Sequence, residues 1–335
     1  MAKPSHFLVA PDSFKGTLSA AEVAAAIGSG LQAAATEADL CPAGDGGEGT
    51  VDSLLAALGG ERRVARAHDP LGRQVEASFA LLNPQAGSAR APTAAVEVAA
   101  ASGLARVAED ERDAEAATSG GTGELIAAAL AAGAERILVG AGGSASTDGG
   151  RGAIEAIEAA GGLRSARLEV LCDTRVPFER AASVFAPQKG ADEAALARLE
   201  DRLQALAGAL PRDPRGRAMT GAAGGLAGGL WAAFGARLVP GAAYVLGLLR
   251  FDRRLEEAGA VITGEGRLDA QSVEGKLVGE VARRGRAAGV PVHAIVGHTA
   301  LDSGSATELG IASVHEAGDP DAIEAAARLI AAEDA

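Results

Sequence analysis

Short apolar runs alternate with amphipathic stretches along most of the chain, the pattern of repeated strand-loop-helix units. Phe7 to Ala10 reads as a strand. After a loop, Ser19 and Glu22 stand at capping-box spacing and open a helix in which Val23, Ile27 and Leu31 share one face. Ala38 to Cys41 is a second strand, followed by a glycine-rich loop and a helix carrying Val51, Leu54, Leu55 and Leu58. Two such units imply a parallel, doubly wound sheet.

The rhythm then changes. Arg63 to Ala67, Val75 to Leu82 and Ala94 to Ala99 read as strands, the first two joined through the turn signal Asp69-Pro70-Leu71-Gly72. From Gly123 the pattern returns to helix, strand (Arg136 to Gly140), glycine-rich loop, helix and strand (Glu169 to Cys172). Leu196, Leu199, Leu203, Leu206 and Leu210 then mark a long amphipathic helix. Near the end the opening pattern reappears, with strands at Val261 to Thr263 and Val292 to Val296 around a helix that ends near Ala288. A last helix begins at Asp319-Pro320 and repeats Ile323, Ala327 and Ile330 toward a core. At 335 residues the chain exceeds what one core usually sustains. The expectation is an α/β protein of two domains. A parallel, doubly wound first domain, discontinuous over 1–62 and 258–335, carries an inserted second mixed α/β domain over 63–257, with the active site in the cleft between them.

Composition narrows the class. With 48% hydrophobic and 22% charged residues the chain is globular rather than disordered. Only 3% is aromatic while 46 residues are glycine, so the core is aliphatic and many backbone positions are free for loops. A net charge of −13, without a basic stripe to offset it, argues against nucleic acid as a partner. Two cysteines, Cys41 and Cys172, each end an apolar run and read as buried thiols, which fits a reducing cytoplasm. The start lacks the charged and apolar regions of a secretory signal. Met219 to Ala236 is uncharged and approaches membrane-span length, but it is largely Gly and Ala, and Arg237 and Pro240 interrupt it. No membrane association is expected.

Candidate chemistry concentrates in glycine-rich loops after strands, where α/β proteins place ligands. Gly44-Asp45-Gly46-Gly47-Glu48-Gly49-Thr50 fits the G-x-G-x-x-G string of dinucleotide sites, yet a pyrophosphate there would meet Asp45 and Glu48. Like charges about 4 Å apart cost on the order of 4 kcal/mol at an effective dielectric near 20. A helix N-terminus returns only about 0.3 to 1 kcal/mol, up to about 2 when partly buried. This loop therefore suits Mg²⁺, or a substrate hydroxyl needing a base, better than a bare phosphate. A capped helix entry without ligand is the structural alternative. Gly140 to Gly150 differs: Gly142, Gly143, Ser144, Ser146 and Thr147 offer successive N–H groups and hydroxyls against the single carboxylate of Asp148, which is an anion nest. Thr118 to Gly123, including Thr122, is a second loop of this type, and a tight turn is the alternative for either.

Two further clusters mix charges. Thr263 to Asp269 with Gly275-Lys276 sets Glu265, Asp269, Arg267 and Lys276 around one strand end, as phosphoryl transfer requires, unless these form a surface ion-pair network. Pro11 to Thr17 brings Asp12, Ser13 and Lys15 to the end of the first strand. Other chemistries lack their parts: Gly275-Lys276 has Ala270 where a Walker A loop needs glycine, five histidines show no metal-ligand spacing, and no G-x-S-x-G elbow occurs.

The strings Ala10 to Gly16, Gly44 to Thr50, Gly142 to Gly150, Phe185-Ala186-Pro187-Gln188-Lys189-Gly190-Ala191, Gly221 to Leu226 and Ile262 to Asp269, in this order, resemble the bacterial glycerate kinase family. The resemblance implies a phosphotransferase using ATP and Mg²⁺ on glycerate, most simply giving 2-phosphoglycerate; the protein is expected in the cytoplasm, as a monomer or homodimer. One departure stands out. After Cys172-Asp173 the family shows an Asn-Pro pair and a longer loop, where this chain has Val176-Pro177 in a shortened segment.

On that reading Lys15, Asp45 and Asp269 are the catalytic candidates, and Asp12, Ser13, Glu48 and Arg267 bind substrate. Gly142, Gly143, Ser144, Ser146, Thr147, Thr122 and Lys276 hold ATP, while Asp173 and Glu265 take the metal. Lys15 and Lys276 balance phosphate charge, Asp45 orients or deprotonates the attacking hydroxyl, and Arg267 grips the glycerate carboxylate. Two other classes stay open at this point: an NAD(P)-dependent dehydrogenase of a small hydroxy acid, from the two glycine strings, and a non-enzymatic protein that binds small anions.

Overall fold

The strand-forming runs assemble into two separate sheets in the computed structural model, which describes residues 6–84, 91–269 and 276–333. Gly275 and Ala270 lie outside the described residues. The chain divides into two compact units, residues 1–45 with 242–335, and residues 46–241.

In the first unit the strands are β1 (His6–Pro11) and β2 (Glu37–Leu40), and later β9, β10 and β11 at Ala260–Leu268, Val292–Thr299 and Ile311–Glu316. They lie in the order β11-β10-β9-β1-β2, and every pairing is parallel. Alternate residues feed opposite faces. Phe7, Val9, Ile262 and Ile295 pack against the helices Ala20–Ala33 and Pro320–Glu333. Ala294, Val296 and Leu268 pack on the other face with Val278 and Ala282 of Leu277–Ala288. The sheet is therefore covered on both sides, as a doubly wound parallel sheet must be. The expected capping box is present, with Glu22 N–H donating to Ser19 Oγ (3.3 Å) and Ser19 N–H to Glu22 Oε2 (2.8 Å). Gly30 lets the first and last helices touch, since a Cβ there would sit 2.3 Å from the Glu324 carbonyl oxygen.

In the second unit the strands run β3 (Gly60–His68), β4 (Gln74–Leu82), β5 (Thr93–Glu97), β6 (Arg136–Gly140), β7 (Arg167–Cys172) and β8 (Arg237–Pro240), paired in that order. The first two pairings are antiparallel and the rest parallel, a mixed sheet. Asp69 builds the turn between β3 and β4 by accepting the N–H groups of Leu71 and Arg73, each at 2.9 Å. Phe79, Val96, Ile137, Val139 and Val170 meet Leu125, Ile157, Leu226 and Leu230 in one core. The long helix Glu193–Ala209 packs Leu199 and Leu203 on Phe178.

The borders differ from those expected at 62/63 and 257/258. The helix Thr50–Leu58 belongs to the second unit, where its start is held by Val51 N–H donating to Glu97 Oε1 at 2.7 Å. The uncharged segment Met219 to Ala236 contains the short helix Leu226–Phe234, whose Leu226 and Leu230 sit in that core. Among the described residues no helix is long and apolar enough to cross a membrane.

Candidate active site

The carboxyl ends of β1 and β9 place a cluster of charged side chains in the first unit. Asp12 follows β1, and its N–H donates to the Gly264 carbonyl of β9 (2.8 Å). Ser13 N–H returns to Asp12 Oδ1 (2.7 Å). The chain then folds into a tight turn in which Phe14 N–H donates to the Leu18 carbonyl (2.8 Å), leaving Lys15 exposed near its tip. After β2, Ala43 N–H donates to the Pro11 carbonyl (3.0 Å), which carries the next residues, up to Asp45, toward Asp12. Gly264 is required where β9 meets β10, because a Cβ would lie 2.1 Å from the Ile295 carbonyl oxygen. Lys276 precedes the helix Leu277–Ala288, and its ammonium lies 3.8 Å from Glu265 Oε2.

These loops enclose a cavity of about 410 Å³, large enough for a small organic acid. Its walls include Asp12, Ser13, Lys15, Asp45, Glu265, Arg267 and Lys276, so seven of the residues singled out from sequence meet in one place. Asp269 is not a wall residue but lies beside them, with its Oδ2 3.7 Å from Arg267 Nε. Asp12, Asp45 and Glu265 are all buried. Burial above all, then the neighbouring Asp45 carboxylate, pushes the Asp12 pKa well above the usual carboxylate range, against the opposing pull of the Ser13 N–H and Lys15.

The donor set of carboxylate oxygens suits Mg²⁺, although among the described residues no group of three or more metal-binding side chains is arranged around a common point. Magnesium that arrives on nucleotide phosphates needs only one or two protein carboxylates and keeps several waters, so the residues present fit an ion carried in this way.

The second unit holds the other predicted loops. Gly142 N–H donates to the Gly46 carbonyl (3.2 Å), and a Cβ on Gly142 would lie 2.5 Å from Gly47 Cα. Gly46 itself has φ of +97° and would drive a Cβ to 2.8 Å from the Leu171 carbonyl oxygen. Gly46 and Gly47 of this loop therefore serve backbone packing against the Gly142 loop and β7. The nest residues Ser144, Ser146 and Thr147 are buried, and neither the Ser146 nor the Thr147 hydroxyl has a hydrogen-bond partner among the described residues. Gly224, from the Gly221 to Leu226 string, underlies the nest: its φ is +65°, and a Cβ there would come 2.0 Å from the Ser146 carbonyl oxygen. Thr122 is committed elsewhere, its hydroxyl donating to Ser102 Oγ at 2.9 Å. Asp148 organises rather than repels, accepting from Ser119 N–H (2.9 Å), Ser119 Oγ (2.8 Å) and Gly152 N–H (3.1 Å). Asp173 follows β7 and approaches Gly142, whose added Cβ would stand 3.6 Å from its Oδ2, and Glu48 is exposed near Glu97.

Three residues of these sites escaped the sequence reading. His298 lines the first-unit cavity and pairs with Glu316 at 3.0 Å. Glu97, at the end of β5, holds the start of the helix Thr50–Leu58, and its pKa is raised to about 7, chiefly by burial. Lys189 is buried beside the nest, with its ammonium 3.0 Å from Ser144 Oγ. Lone ionisable residues give no periodic signal; for Lys189 the only pointer was its place in the Phe185 to Ala191 string.

Comparison with known proteins gives the family. The sequence model of the glycerate kinase family matches residues 7–161 and 158–332. The chain is 37% identical to glycerate 2-kinase of Escherichia coli (strain K12), over 92% of this chain and 89% of that protein. It is 40% identical to a glycerate kinase of Bacillus subtilis (strain 168), over 91% and 88% of the two chains. The crystal structure of a provisionally named glycerate kinase 2 from Salmonella typhimurium LT2 superposes with a TM-score of 0.80 at 34% identity, covering 98% of this chain and 97% of that one. With its two α/β units and its ordered set of glycine-rich loops, this chain belongs to the glycerate kinase family.

Proposed function

We propose that this protein transfers the γ-phosphoryl group of ATP to a hydroxyl of D-glycerate, giving 2-phosphoglycerate. Membership of the glycerate kinase family supports the reaction class, and the observation that carries the reading here is the first-unit cavity. It gathers buried acids with Lys15, Lys276 and Arg267 at the carboxyl ends of parallel strands.

The roles follow from the charges. Arg267 is exposed at the cavity wall and presents a planar fork suited to the glycerate carboxylate. Asp45, beside Asp12 in the cavity wall, orients the attacking hydroxyl or takes its proton. Ser13 hydrogen-bonds a substrate oxygen. Lys15 and Lys276 face the phosphoryl group and offset its charge as the bond to ADP breaks and the bond to glycerate forms. Lys276 is held ready by Glu265. The Gly142 to Thr147 nest takes phosphate oxygens of ATP on backbone N–H groups. Glu265, with Asp269 competing, is the candidate magnesium ligand of the first unit and Asp173 that of the second, and the ion would supply further neutralisation of the phosphate oxygens.

The dehydrogenase alternative loses its main support, since Gly46 and Gly142 are occupied in packing one loop on another. Phosphorus NMR of a mixture of protein, ATP, magnesium and D-glycerate tests the proposal. A phosphomonoester coupled to the C2 proton supports it. A signal coupled to the C3 protons moves the acceptor hydroxyl, and ATP left intact, with no ester signal, refutes it.

A further inference from the structure

Lys189 ends the 3₁₀ turn Pro187–Lys189 and is only 3% exposed. The turn is stiff: Lys189 N–H donates to the Ala186 carbonyl, Gly190 N–H to Pro187 and Ala191 N–H to Ala186. Gly190 follows at φ of +94°, where a Cβ would lie 2.7 Å from the Arg112 carbonyl oxygen. The ammonium delivered by this turn donates to Ser144 Oγ (3.0 Å) and to the Ser146 carbonyl. Burial pulls its pKa down to about 7, with Asp148 and Asp173 opposing.

A buried ammonium is costly, and a methionine would fill the same stem volume without that cost. What the lysine adds is control of the nest backbone. The Ser146 carbonyl is gripped by Lys189 and lies against Gly224. In a trans peptide the carbonyl and the following N–H point in opposite directions, so holding the Ser146 carbonyl aims the Thr147 N–H away from Lys189. Ser144 Oγ, the other acceptor of Lys189, donates in turn to the same Ser146 carbonyl (3.3 Å), which closes the clamp. The Ser146 and Thr147 hydroxyls on this segment have no partner among the described residues, as expected of a segment shaped for a ligand.

We propose that Lys189 is the positioning residue of the anion nest: by clamping Ser144 and the Ser146 carbonyl it holds the loop in the shape that receives the phosphate oxygens of ATP. The inference rests on the kinase reading for the identity of the anion, but not for the clamp.

The test uses Lys189→Met and Ser144→Ala in the full chain. Calorimetry measures binding of ATP and of inorganic tripolyphosphate, steady-state kinetics give KM for ATP and for glycerate, and thermal unfolding reports integrity. The expected result for Lys189→Met is at least a tenfold weaker binding of both ATP and tripolyphosphate, with the glycerate KM within twofold of wild type and an unfolding midpoint no lower. Ser144→Ala gives a smaller loss of the same kind. Unchanged ATP and tripolyphosphate binding in Lys189→Met overturns the proposal, as does an equal rise in both KM values with a lowered midpoint. Should Lys189→Met fail to fold, Ser144→Ala decides, and wild-type ATP binding in that variant overturns the proposal. A wild-type protein that binds tripolyphosphate but phosphorylates no glycerate would sink the kinase reading and leave the clamp standing.

Discussion

The carboxylate of Glu97 accepts the backbone N–H of Val51 at 2.7 Å, so a strand end in the middle of the chain anchors the helix that follows the Asp45 loop. Burial raises the Glu97 pKa from 4.5 to about 7, assisted by Glu48 and opposed by the Val51 and Gly49 N–H groups. The folded protein therefore binds a proton at Glu97 that the unfolded chain has released between those two values. Its contribution to stability falls as pH rises from about 4.5 to 7 and is flat above. Glu97→Gln removes this slope. Thermal unfolding of both proteins from pH 4.5 to 8 should show the wild type losing stability relative to the variant, by about 3 kcal/mol at most, across that window alone.

Asp45→Asn keeps the shape of the site but removes one member of the carboxylate pair. The expected result is a kcat lower by roughly 10² to 10⁴ in a coupled assay of ADP release, with ATP binding retained. Wild-type turnover would remove Asp45 from the mechanism.

Lys276→Met removes the ammonium that lies 3.8 Å from Glu265 and withdraws a cation from the transferring phosphoryl group. A fall in kcat/KM of roughly 10² to 10³ is expected. Loss confined to thermal stability, with kinetics intact, would show that the pair is structural.

Gly30→Ala sets a methyl group 2.3 Å from the Glu324 carbonyl oxygen and forces the first and last helices apart. A destabilisation of about 1 to 3 kcal/mol is expected from denaturant unfolding. Both KM values at 25 °C should stay unchanged, because neither helix contributes a wall to the cavity.

Much of the fold was legible because periodicity is a local property. The Ser19 and Glu22 box, the apolar runs of β1, β6, β7, β9 and β10, and the face of the helix Glu193–Ala209 all announced themselves. Two of the edge strands, β8 and β11, did not. Arg237-Leu238-Val239-Pro240 has only two large apolar residues before a proline, and Ile311 to Glu316 is half polar and open on one side. The border at 45/46 was hidden because the helix Thr50–Leu58 is tied to the second unit by contacts distant in sequence, among them the Glu97 carboxylate 46 residues away. The loops that carry charge were found from their composition. The roles of Glu97 and Lys189 depend on burial by distant segments, which no local pattern encodes.

The Thr263 hydroxyl of β9 donates to the Ala10 carbonyl of β1, two residues 253 positions apart. At a translation speed of roughly 5 to 20 residues per second, β1 waits on the order of 10 to 50 s for that neighbour. Residues 46–241 are contiguous and emerge from the ribosome during the interval. The segment bearing Asp12, Lys15 and Asp45 is thus made first, and β1 gains its β9 neighbour only when the last part of the chain arrives.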